Sequence, residues 1–309
     1  MVKLGRMFED RPFQVIAKLE AFNPGGSIKD RPAFNILYQA IVEKRIQPDT
    51  VIIESSSGNM GVGLAQACAY FGLRFICVVD PKATKQNIEI IRAYGAEIDT
   101  ILDPDPGTEE FLQARINRVK ALVSQHRNSF WPDQYSNIDN ARAHYQTISE
   151  IMSRLEGKVD YLFCPTSTCG TISGCAEYLK KMRLSTKCVA VDAAGSVIFD
   201  DKPGRRLIPG HGAAVKPGLH KAELVDRCIH VRDLDCIIGC RRLVRKEAIL
   251  AGGSSGGVVM AIESAARYIK PGATCVAIFP DRGERYLDTI YSDSWVREHF
   301  GKVSHLWED

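Results

Sequence analysis

Long apolar runs and blocks of like charge are absent from the sequence. No apolar stretch approaches the roughly 18 residues of a membrane span. The first residues carry Arg6, Glu9, Asp10 and Arg11 where a signal peptide would have an apolar core. No run of five like charges occurs, and 40 basic residues nearly balance 37 acidic ones. We therefore expect a cytoplasmic protein that binds neither membranes nor nucleic acid.

Paired cysteine motifs are also missing. The ten cysteines are scattered, and none forms the CxxC pair that zinc ribbons and thioredoxins use. We interpret them as mostly buried, reduced thiols, and we expect no metal site. The glycine-rich segments lack the GK(S/T) ending of an ATP- or GTP-binding loop. They also lack the GxGxxG pattern of nicotinamide dinucleotide sites, so neither nucleotide class is expected.

What the sequence does contain is a regular alternation of short apolar strands with helices. Strands are predicted at 14–20, 51–54, 75–80, 96–102, 159–164, 188–193 and 274–279. Helices are predicted at 31–43, 64–70, 85–94, 109–125 and 234–247, with others ending near 155, 182 and 269. Such alternation implies parallel sheets with right-handed crossovers. A length of 309 residues suits two domains, and we place the domain change near residue 130.

The segment 23–32, NPGGSIKDRP, places a lysine where a glycine-rich turn enters a helix. Gly25, Gly26 and Ser27 supply the turn, so the backbone can approach a ligand closely. The positive end of the helix dipole and any desolvation both favour the neutral amine. Lys29 is therefore a candidate nucleophile of the Schiff-base type. A solvated lysine at a helix start is the alternative interpretation.

Three further segments enter helices through Ser, Thr, Asn and Gly: 55–63 (SSSGNMGVG), 165–174 (PTSTCGTISG) and 251–257 (AGGSSGG). Backbone N–H groups and hydroxyls converge at such helix starts and bind anions. The second segment suits a phosphate monoester, with an ordinary capped helix start as the alternative. In the third, Ser254 can offer a neutral hydroxyl to a ring nitrogen. The Gly- and Pro-rich segment 194–228 is interpreted as a binding loop or a flexible insertion.

These segments, with PDRGERYL at 280–287, resemble in sequence and order the cysteine synthase/cystathionine β-synthase family of fold-type-II pyridoxal-phosphate enzymes. The resemblance covers nearly the whole chain and implies an α/β fold like that of the tryptophan synthase β subunit. Two lobes are expected, each with a mainly parallel twisted sheet flanked by helices. Residues 22–130 would form a smaller, mobile lobe, and residues 1–21 with 131–309 the larger one. A homodimer is expected, and since Met1 stands near the end of the family's usual first segment, we expect an N-terminal arm to be missing.

The resemblance also implies pyridoxal 5′-phosphate as the cofactor and a role for each matching residue. Lys29 resembles the Schiff-base lysine, Asn59 the asparagine at the cofactor's ring hydroxyl, and Ser254 the serine at the pyridine nitrogen. The phosphate cup would consist of Ser167, Thr168, Cys169, Gly170 and Thr171, in which Cys169 replaces a glycine. The substrate pocket would contain Ser56, Ser57, Met60 and Gln134, in which Met60 replaces a threonine and removes a carboxylate contact.

The implied chemistry is replacement of a β-substituent. A neutral serine leaves the cofactor ring less electron-withdrawing than an aspartate would, which favours loss of a β-leaving group over transamination. We expect elimination to an aminoacrylate and then addition of a nucleophile, with Lys29 as the base for the α-proton. The chain is therefore predicted to be a pyridoxal-phosphate dependent transferase.

Segments 131–137 and 191–213 are more similar to those of the synthases that make N-(2-amino-2-carboxyethyl)-L-glutamate from O-phospho-L-serine and L-glutamate. That reaction opens a route to 2,3-diaminopropionate in siderophores such as staphyloferrin B and in peptide antibiotics. A phosphate leaving group and a dicarboxylate nucleophile both require cations. Among the loop cations we select Arg206 for the substrate phosphate, because the planar guanidinium matches phosphate geometry. Solvated loop charge is the alternative.

Two other functions stay open. One is a cysteine synthase that uses sulfide with O-phosphoserine or O-acetylserine. The other is a catalytically idle family member that acts as a binding partner, although the intact Lys29, Asn59 and Ser254 argue against it. His211 is interpreted either as a substrate contact or as a solvent-exposed loop residue. Cys169 is interpreted as a small hydrophobic residue rather than a weak donor.

Overall fold

The computed structural model describes residues 1–81, 83–107, 111–199 and 202–308. The chain divides into two units. The small unit is Asn23–Asn140, and the large unit is Met1–Phe22 with Ala141–Asp309. The second division therefore follows Asn140, later in the chain than the predicted boundary near residue 130.

The small unit is built on a four-stranded, fully parallel sheet. Its elements are α1 (Asp30–Val42), β3 (Val51–Ser55), α2 (Asn59–Phe71), β4 (Arg74–Val79), α3 (Lys85–Ala93), β5 (Glu97–Thr100), α4 (Phe111–Gln125) and β6 (Ser129–Phe130). The strand order is β5-β4-β3-β6. Every residue of β3 is buried. Ile52 packs into one apolar cluster, while Val51 and Ile53 pack into another. A parallel sheet covered on both faces requires such a continuously apolar strand.

The large unit contains a six-stranded sheet. Its strands are β1 (Val2–Lys3), β2 (Gln14–Leu19), β7 (Tyr161–Pro165), β8 (Lys187–Ala193), β9 (Arg227–Val231) and β10 (Thr274–Phe279). Their order is β1-β2-β10-β7-β8-β9, with β1 antiparallel to β2 and the other pairs parallel. The helices are α5 (Ile138–Arg154), whose first residues belong to the small unit, α6 (Gly170–Lys181), α7 (Asp233–Glu247), α8 (Gly253–Ala265) and α9 (Asp293–Phe300).

The structure confirms the predicted α/β class with mainly parallel sheets flanked by helices. Two helix starts were placed wrongly. Helix α2 begins at Asn59 and not at Leu64, and α8 begins at Gly253, inside the segment predicted to be a turn. Both helix starts are rich in Gly and Ser, which have low helix propensity. Tertiary contacts therefore determine where these helices begin. The predicted start of the fourth helix at Glu109 lies outside the described residues.

Four of the described strands and α-helices were missed, and two of them, β1 and β6, are strands of only two residues. Strand β9 overlaps the end of the segment 194–228 that was interpreted as a loop, and it lies at the sheet edge, where its burial is incomplete. Helix α9 is a short amphipathic helix near the C-terminus, and Ser292 caps it by accepting a hydrogen bond from the Trp295 backbone.

The ten cysteines are all unpaired thiols, and only Cys228 is not buried, which confirms their interpretation as mostly buried and reduced. Among the described residues, no helix is both long and apolar enough to span a bilayer.

Candidate active site

The lysine segment is held rigidly by its own neighbours. Lys29 occupies the N-cap position of α1 and is half-buried. Its backbone N–H donates to Ser27 Oγ at 3.2 Å, and Ser27 is fully buried. The backbone N–H of Gly25 donates to Asp30 Oδ2 at 2.5 Å. The first turn of α1 thus fixes the turn that precedes it, and the lysine is mounted on a fixed backbone.

Helix α2 approaches this lysine closely because a glycine faces it. A Cβ on Gly63 would lie 2.9 Å from the Lys29 carbonyl oxygen and 3.1 Å from Ala33 Cβ. Any side chain at this position would therefore push the two segments apart. The spacing of GVG in the sequence places Gly63 on the same helix as Asn59, which is the first, half-buried residue of α2. The structure therefore brings the Lys29 and Asn59 segments together within the small unit.

The segment before α2 is fixed by hydrogen bonds to its serines. Ser56 Oγ accepts the backbone N–H of Gly61 at 3.0 Å, while the Ser56 carbonyl accepts the thiol of Cys77 at 3.0 Å. Ser57 Oγ accepts Nη1 of Arg115 at 3.3 Å, and the Ser57 carbonyl accepts Nδ2 of Asn87 at 3.1 Å. This segment is thus supported from strand β4 and from helices α3 and α4.

Met60 behaves differently from its serine neighbours. Its side chain is 2% exposed and belongs to the apolar cluster between α1, α2 and the sheet. The structure therefore places this residue beneath the segment as packing.

Gln134 is tied to the same segment through a buried carboxylate. Glu54 is 3% exposed, and its Oε2 accepts the backbone N–H of Gln134 at 3.2 Å. Its Oε1 accepts the Ser55 N–H at 2.8 Å and Trp131 Nε1–H at 3.1 Å. Burial raises the pKa of the Glu54 carboxyl to about 7, while these three donors and the charge of Asp133 act as smaller influences.

The predicted phosphate cup, Ser167–Thr171, lies in the large unit, between the end of β7 and the start of α6. Thr166 precedes it, and its hydroxyl donates to Asp192 Oδ1 at 2.9 Å, with Asp192 fully buried. Ser167 is half-buried, whereas Thr168 and Thr171 are buried. The first N–H groups of a helix and several hydroxyls are therefore collected at one point, as phosphate binding requires.

Cys169 has the backbone conformation that the family's glycine would suit. Its φ is +64°, in the left-handed region, at the N-cap of α6. A residue with a Cβ is uncommon in this region. Its side chain is 3% exposed, and its Sγ lies 4.0 Å from His220 Nδ1. The thiol thus lies in the cup but points toward a histidine of the long loop segment.

A buried histidine supports the cup from helix α5. His144 Nε2 lies 3.3 Å from Thr171 Oγ1, and its Nδ1 lies 3.1 Å from Thr147 Oγ1. All three side chains are buried. Because hydroxyls both donate and accept, this chain of contacts satisfies the imidazole in either neutral tautomer.

Ser254 lies in the first turn of α8 and is 8% exposed. Its hydroxyl makes no hydrogen bond to another described residue. The start of this helix is fixed by Gly252, because a Cβ there would come within 1.9 Å of Asp281 Oδ1. Tyr286 in turn donates to Asp281 Oδ2 at 2.5 Å. Ser254 is therefore a neutral, positioned hydroxyl that can interact with a ligand.

Arg206 is half-buried on the loop segment after β8. Its Nη1 donates to the His211 carbonyl at 3.5 Å, but its buried Nε has no hydrogen-bond partner among the residues that the structure describes. A Cβ built on Gly212 would lie 3.1 Å from this Nη1, and the Gly212 N–H donates to the carbonyl of Thr166 at 2.8 Å. The structure therefore places Arg206 beside the loop residue that bonds Thr166, which directly precedes the predicted cup.

The solvent-exposed interpretation of His211 is wrong, because this residue is 1% exposed. Its Nε2 lies 3.1 Å from the Val191 carbonyl, and its Nδ1 lies 3.6 Å from Cys236 Sγ. A carbonyl only accepts, so Nε2 carries the proton and Nδ1 accepts from the thiol. Burial lowers the pKa of His211, which keeps the imidazole neutral. The histidine thus anchors the loop to β8.

Several functional supports were not found from the sequence: Glu54, Arg115, Asn87, Asp80, Trp131 and His144. Arg115 Nε lies 3.2 Å from Asp80 Oδ2, so α4 is paired with the end of β4. Each of these residues contacts a partner at least 20 positions away in the sequence or lies on a helix without a recognisable motif, so no local pattern marks it. The one available signal was the glutamate that directly precedes SSSGN.

The donor set fits the expected cofactor, pyridoxal phosphate. The cup offers hydroxyls and a helix N-terminus for the phosphate, and Ser254 offers the ring nitrogen a hydroxyl that has no hydrogen-bond partner among the described residues. Within the small unit by itself, the amine of Lys29 and the amide of Asn59 are further groups of the kinds that the cofactor requires. When bound, this cofactor withdraws electrons from the α-carbon of an amino acid.

Comparisons with known proteins agree with this donor set. The family model described as pyridoxal-phosphate dependent enzyme matches residues 1–281. Cysteine synthase from Entamoeba histolytica is 36% identical with a TM-score of 0.87, covering 94% of this chain and 87% of that chain. O-acetylserine dependent cystathionine β-synthase from Helicobacter pylori is 30% identical with a TM-score of 0.85, covering 91% of each chain. O-ureido-L-serine synthase is 28% identical with a TM-score of 0.87, covering 98% and 93%. The chain therefore belongs to the pyridoxal-phosphate dependent enzymes, and within them to the cysteine synthase group of β-replacement transferases.

Proposed function

We propose that the enzyme replaces the phosphate of O-phospho-L-serine with the amino group of L-glutamate. The bond between Cβ and the phosphate oxygen breaks, and a bond between Cβ and the glutamate nitrogen forms. The products are N-(2-amino-2-carboxyethyl)-L-glutamate and phosphate. The first product would serve 2,3-diaminopropionate synthesis, and the enzyme would act as a homodimer.

The observation that carries this proposal is the buried Nε–H of Arg206. A buried donor without an acceptor costs free energy, on the order of 1–3 kcal/mol, unless a ligand pairs with it. The guanidinium lies beside Gly212, which bonds Thr166, the residue directly before the predicted cup. A phosphate oxygen is a suitable acceptor, since arginine binds phosphate with two parallel N–H donors. A neutral acetyl leaving group would not require this cation.

A second cation supports an anionic substrate in the small unit. Arg115 donates to Ser57 Oγ at 3.3 Å, so its positive charge lies at the segment proposed to hold the substrate's α-carboxylate. The paired Asp80 is 5% exposed and orients the guanidinium. A substrate pair with four acidic groups, phosphoserine and glutamate, benefits from cations in both units.

The remaining residues receive roles from their chemistry. Lys29 Nζ takes the α-proton of the amino acid and later returns it, because a half-buried amine can act as a general base. Ser56, Ser57 and Gln134 hold the α-carboxylate, and Asn59 with Ser254 orients the cofactor ring. The cup of Ser167, Thr168, Cys169, Gly170 and Thr171 holds the cofactor's phosphate.

A product assay tests the proposal directly. Purified protein with pyridoxal phosphate is given O-phospho-L-serine together with either glutamate or sulfide, and the products are separated by mass. We expect the glutamate adduct and stoichiometric phosphate release. Cysteine as the only product would overturn the glutamate assignment and favour the second candidate function, a cysteine synthase, which the likeness to the Entamoeba enzyme supports.

The variant Arg206→Gln, with Arg205→Gln as the matched control, tests whether the buried Nε–H of Arg206 binds the substrate's phosphate. Arg205 is exposed, whereas Arg206 is half-buried. We expect the KM for phosphoserine to rise roughly tenfold or more in Arg206→Gln, as for loss of a charge-assisted hydrogen bond. The KM for O-acetyl-L-serine should not change in either variant. An equal loss with both substrates would remove the phosphate role from Arg206.

Borohydride trapping tests the proposed lysine and the idle-protein alternative together. Reduction of the protein loaded with pyridoxal phosphate should fix the cofactor covalently on Lys29, as shown by peptide mass. Lys29→Ala should lose this label and turnover, whereas the exposed control Lys120→Ala should keep both. A protein with no trapped cofactor would fit the idle binding partner.

A further inference from the structure

Glu54 connects the two segments that are proposed to hold the substrate's carboxylate. It precedes the last residue of β3, and its carboxylate accepts N–H donors from Ser55, Trp131 and Gln134. Ser55 leads directly into Ser56 and Ser57. The most distant of the three donors lies 80 residues from Glu54 in sequence. One buried carboxylate therefore links the end of β3 to the segment 131–134.

The backbone of Gln134 is held at both of its polar groups. Its N–H donates to Glu54 Oε2 at 3.2 Å, and its carbonyl accepts Nδ2 of Asn140 at 2.6 Å. The preceding Asp133 has a φ of +46°, so the chain turns sharply just before Gln134. A left-handed residue at a non-glycine position persists only where surrounding contacts hold it. The bond to Glu54 is one of those contacts.

The groups that face Glu54 define its charge. Burial raises the pKa of Glu54 most, the N–H donors of Ser55, Trp131 and Gln134 lower it, and Asp133 in the loop raises it. Cys77 on β4 also faces Glu54, and burial raises the pKa of this thiol to about 12, so it stays neutral. The guanidinium of Arg115 on α4 acts on Cys77 as well. Between pH 6 and 8, Glu54 is therefore the group in this set that changes its protonation state.

We propose that Glu54 is a positioning residue that holds the Ser55–Ser57 segment and Gln134 in the arrangement that binds the substrate's α-carboxylate, and that it does so in its deprotonated form. The proposal rests on the proposed function, which assigns Ser56, Ser57 and Gln134 to that carboxylate. As an anion, Glu54 accepts all three donors. If Oε2, the oxygen with one donor, takes up a proton, its O–H faces the N–H of Gln134. Two donors then face each other, and the hydrogen bond to Gln134 is lost.

The proposal predicts how KM varies with pH. Glu54→Gln makes the side chain neutral at every pH. The amide N–H₂ of the glutamine then faces one of the three N–H donors and cannot accept its hydrogen bond. At pH 8 the KM for phosphoserine should be roughly tenfold higher in Glu54→Gln than in the wild type, as for a lost bond to a charged acceptor. Near pH 6 the wild type is itself protonated, so the ratio of the two KM values should approach one. The ratio cancels the titration of the substrate's own phosphate, whose pKa is about 6.

The value of kcat separates positioning from general damage. Loss of a contact that binds substrate and transition state equally raises KM and leaves kcat unchanged. A merely structural role would lower the active fraction, and thus kcat, at every pH. The control is Glu89→Gln, which changes an exposed glutamate of the same unit and should keep a ratio of one throughout.

Trp131 gives a readout that needs no turnover. The protein contains 3 tryptophans, so three indole N–H signals are expected, and Trp131→Phe identifies the relevant one. In the loaded wild-type enzyme this signal should shift with a midpoint near the pKa of Glu54, about 7, and in Glu54→Gln it should not. Trp131→Phe removes a donor that favours the anion, so in this variant the rise of the KM for phosphoserine toward acid pH should have its midpoint at higher pH than in the wild type. This second variant keeps the test available if Glu54→Gln does not fold.

The outcomes separate the two proposals. A KM ratio that falls toward one with decreasing pH, together with the indole titration, supports the positioning role. A constant ratio between pH 6 and 8, or a loss confined to kcat, overturns it. An enzyme that shows the indole titration but does not use phosphoserine refutes the proposed function and leaves the link between the two segments in place.

Discussion

The segment that enters α2 and the segment that enters α6 have similar sequences but different supports. Each follows a buried parallel strand and passes through Ser or Thr and Gly into a helix. Behind the first lie Glu54 and the ion pair of Arg115 with Asp80. Behind the second lie mainly hydroxyl contacts, from Thr171 to a buried histidine and from Thr166 to Asp192. The first segment depends on a carboxyl group whose pKa is raised to about 7.

With the proposed function, this difference would let one local design serve two binding tasks. A cofactor that stays bound through many turnovers needs a site that is rigid and insensitive to conditions. A substrate that enters and leaves each cycle can be held by an arrangement whose strength depends on protonation. Burying the anionic form of Glu54 costs free energy. The small unit is therefore less stable at the pH at which Glu54 is deprotonated and accepts all three N–H donors.

The largest expected effect is on the pH dependence of stability. The folded-state pKa of Glu54, about 7, lies above its ordinary value of 4.5. The folded state therefore keeps a proton that the unfolded state releases, and stability falls as pH rises from about 4.5 through 7. Glu54 should contribute a loss of about 3 kcal/mol across this range, and Glu54→Gln should lack it.

Urea unfolding at pH 5 and pH 8 measures this effect. Trp295→Phe and Trp307→Phe in the background leave Trp131 as the fluorescent reporter of the small unit. The wild type should lose more stability than Glu54→Gln between the two pH values. Equal losses would show that the carboxylate is not buried as described, and the contrast between the two segments would disappear.

The next effect concerns the close packing of the α2 segment. A Cβ on Gly61 would lie 2.3 Å from the carbonyl oxygen of Ser56 and 3.0 Å from Ile91 Cδ1. Gly61→Ala should therefore cost about 2 kcal/mol, as overpacking does, and should raise the KM for phosphoserine. The control is Gly58→Ala, three residues earlier, where nothing lies within 4 Å and φ is −120°. If the two variants behave alike, the segment is less rigid than its contacts indicate.

A smaller, pH-independent effect is expected in the α6 segment. Thr166→Val removes the hydroxyl that donates to the buried Asp192 and leaves that oxygen with the N–H of Ala193. Stability and cofactor affinity should each fall by about 1–2 kcal/mol, equally at pH 7 and pH 8.5. Thr186→Val, which removes a bond to the Val159 carbonyl elsewhere in the large unit, should lower stability alone. A strong pH dependence in Thr166→Val would contradict the contrast between the segments.

Part of this arrangement could be predicted from the sequence. Apolar runs such as 51–54 and 274–279 fix the strands, because a buried parallel strand needs continuous apolar residues. The start of α2 at Asn59 could not be predicted, since Gly61 and Gly63 weaken a helical pattern and are there for close contacts. Edge strand β9 has few buried residues and left no apolar run.

For the site, the sequence indicated candidate binding segments but not their supports. Lys29 and Ser254 lie in recognisable glycine-rich strings, and their placement at helix starts follows from those strings. Arg115 and Asn87 support Ser57 from two other helices, and only the folded chain brings them together. His211 was open to interpretation as an exposed loop residue for the same reason: its burial depends on Val191 and Cys236, which are remote in sequence.

The smallest expected effect comes from His211 and has the opposite sign to that of Glu54. Burial lowers its pKa below the ordinary value of 6.5. As pH falls below 6.5, the unfolded chain takes up a proton that the folded imidazole refuses, so stability falls toward acid pH. His211→Gln should remove this acid-side slope, while the exposed control His305→Gln should keep it. Unfolding of the large unit at pH 5.5 and pH 7.5 measures the slope. His211 anchors the loop beside the predicted cup. If the stability of the large unit falls only toward acid pH, the contacts of the α6 segment do not change over the pH range in which Glu54 titrates. Parallel slopes in the wild type and His211→Gln would instead mean that the histidine takes up its proton without leaving the fold.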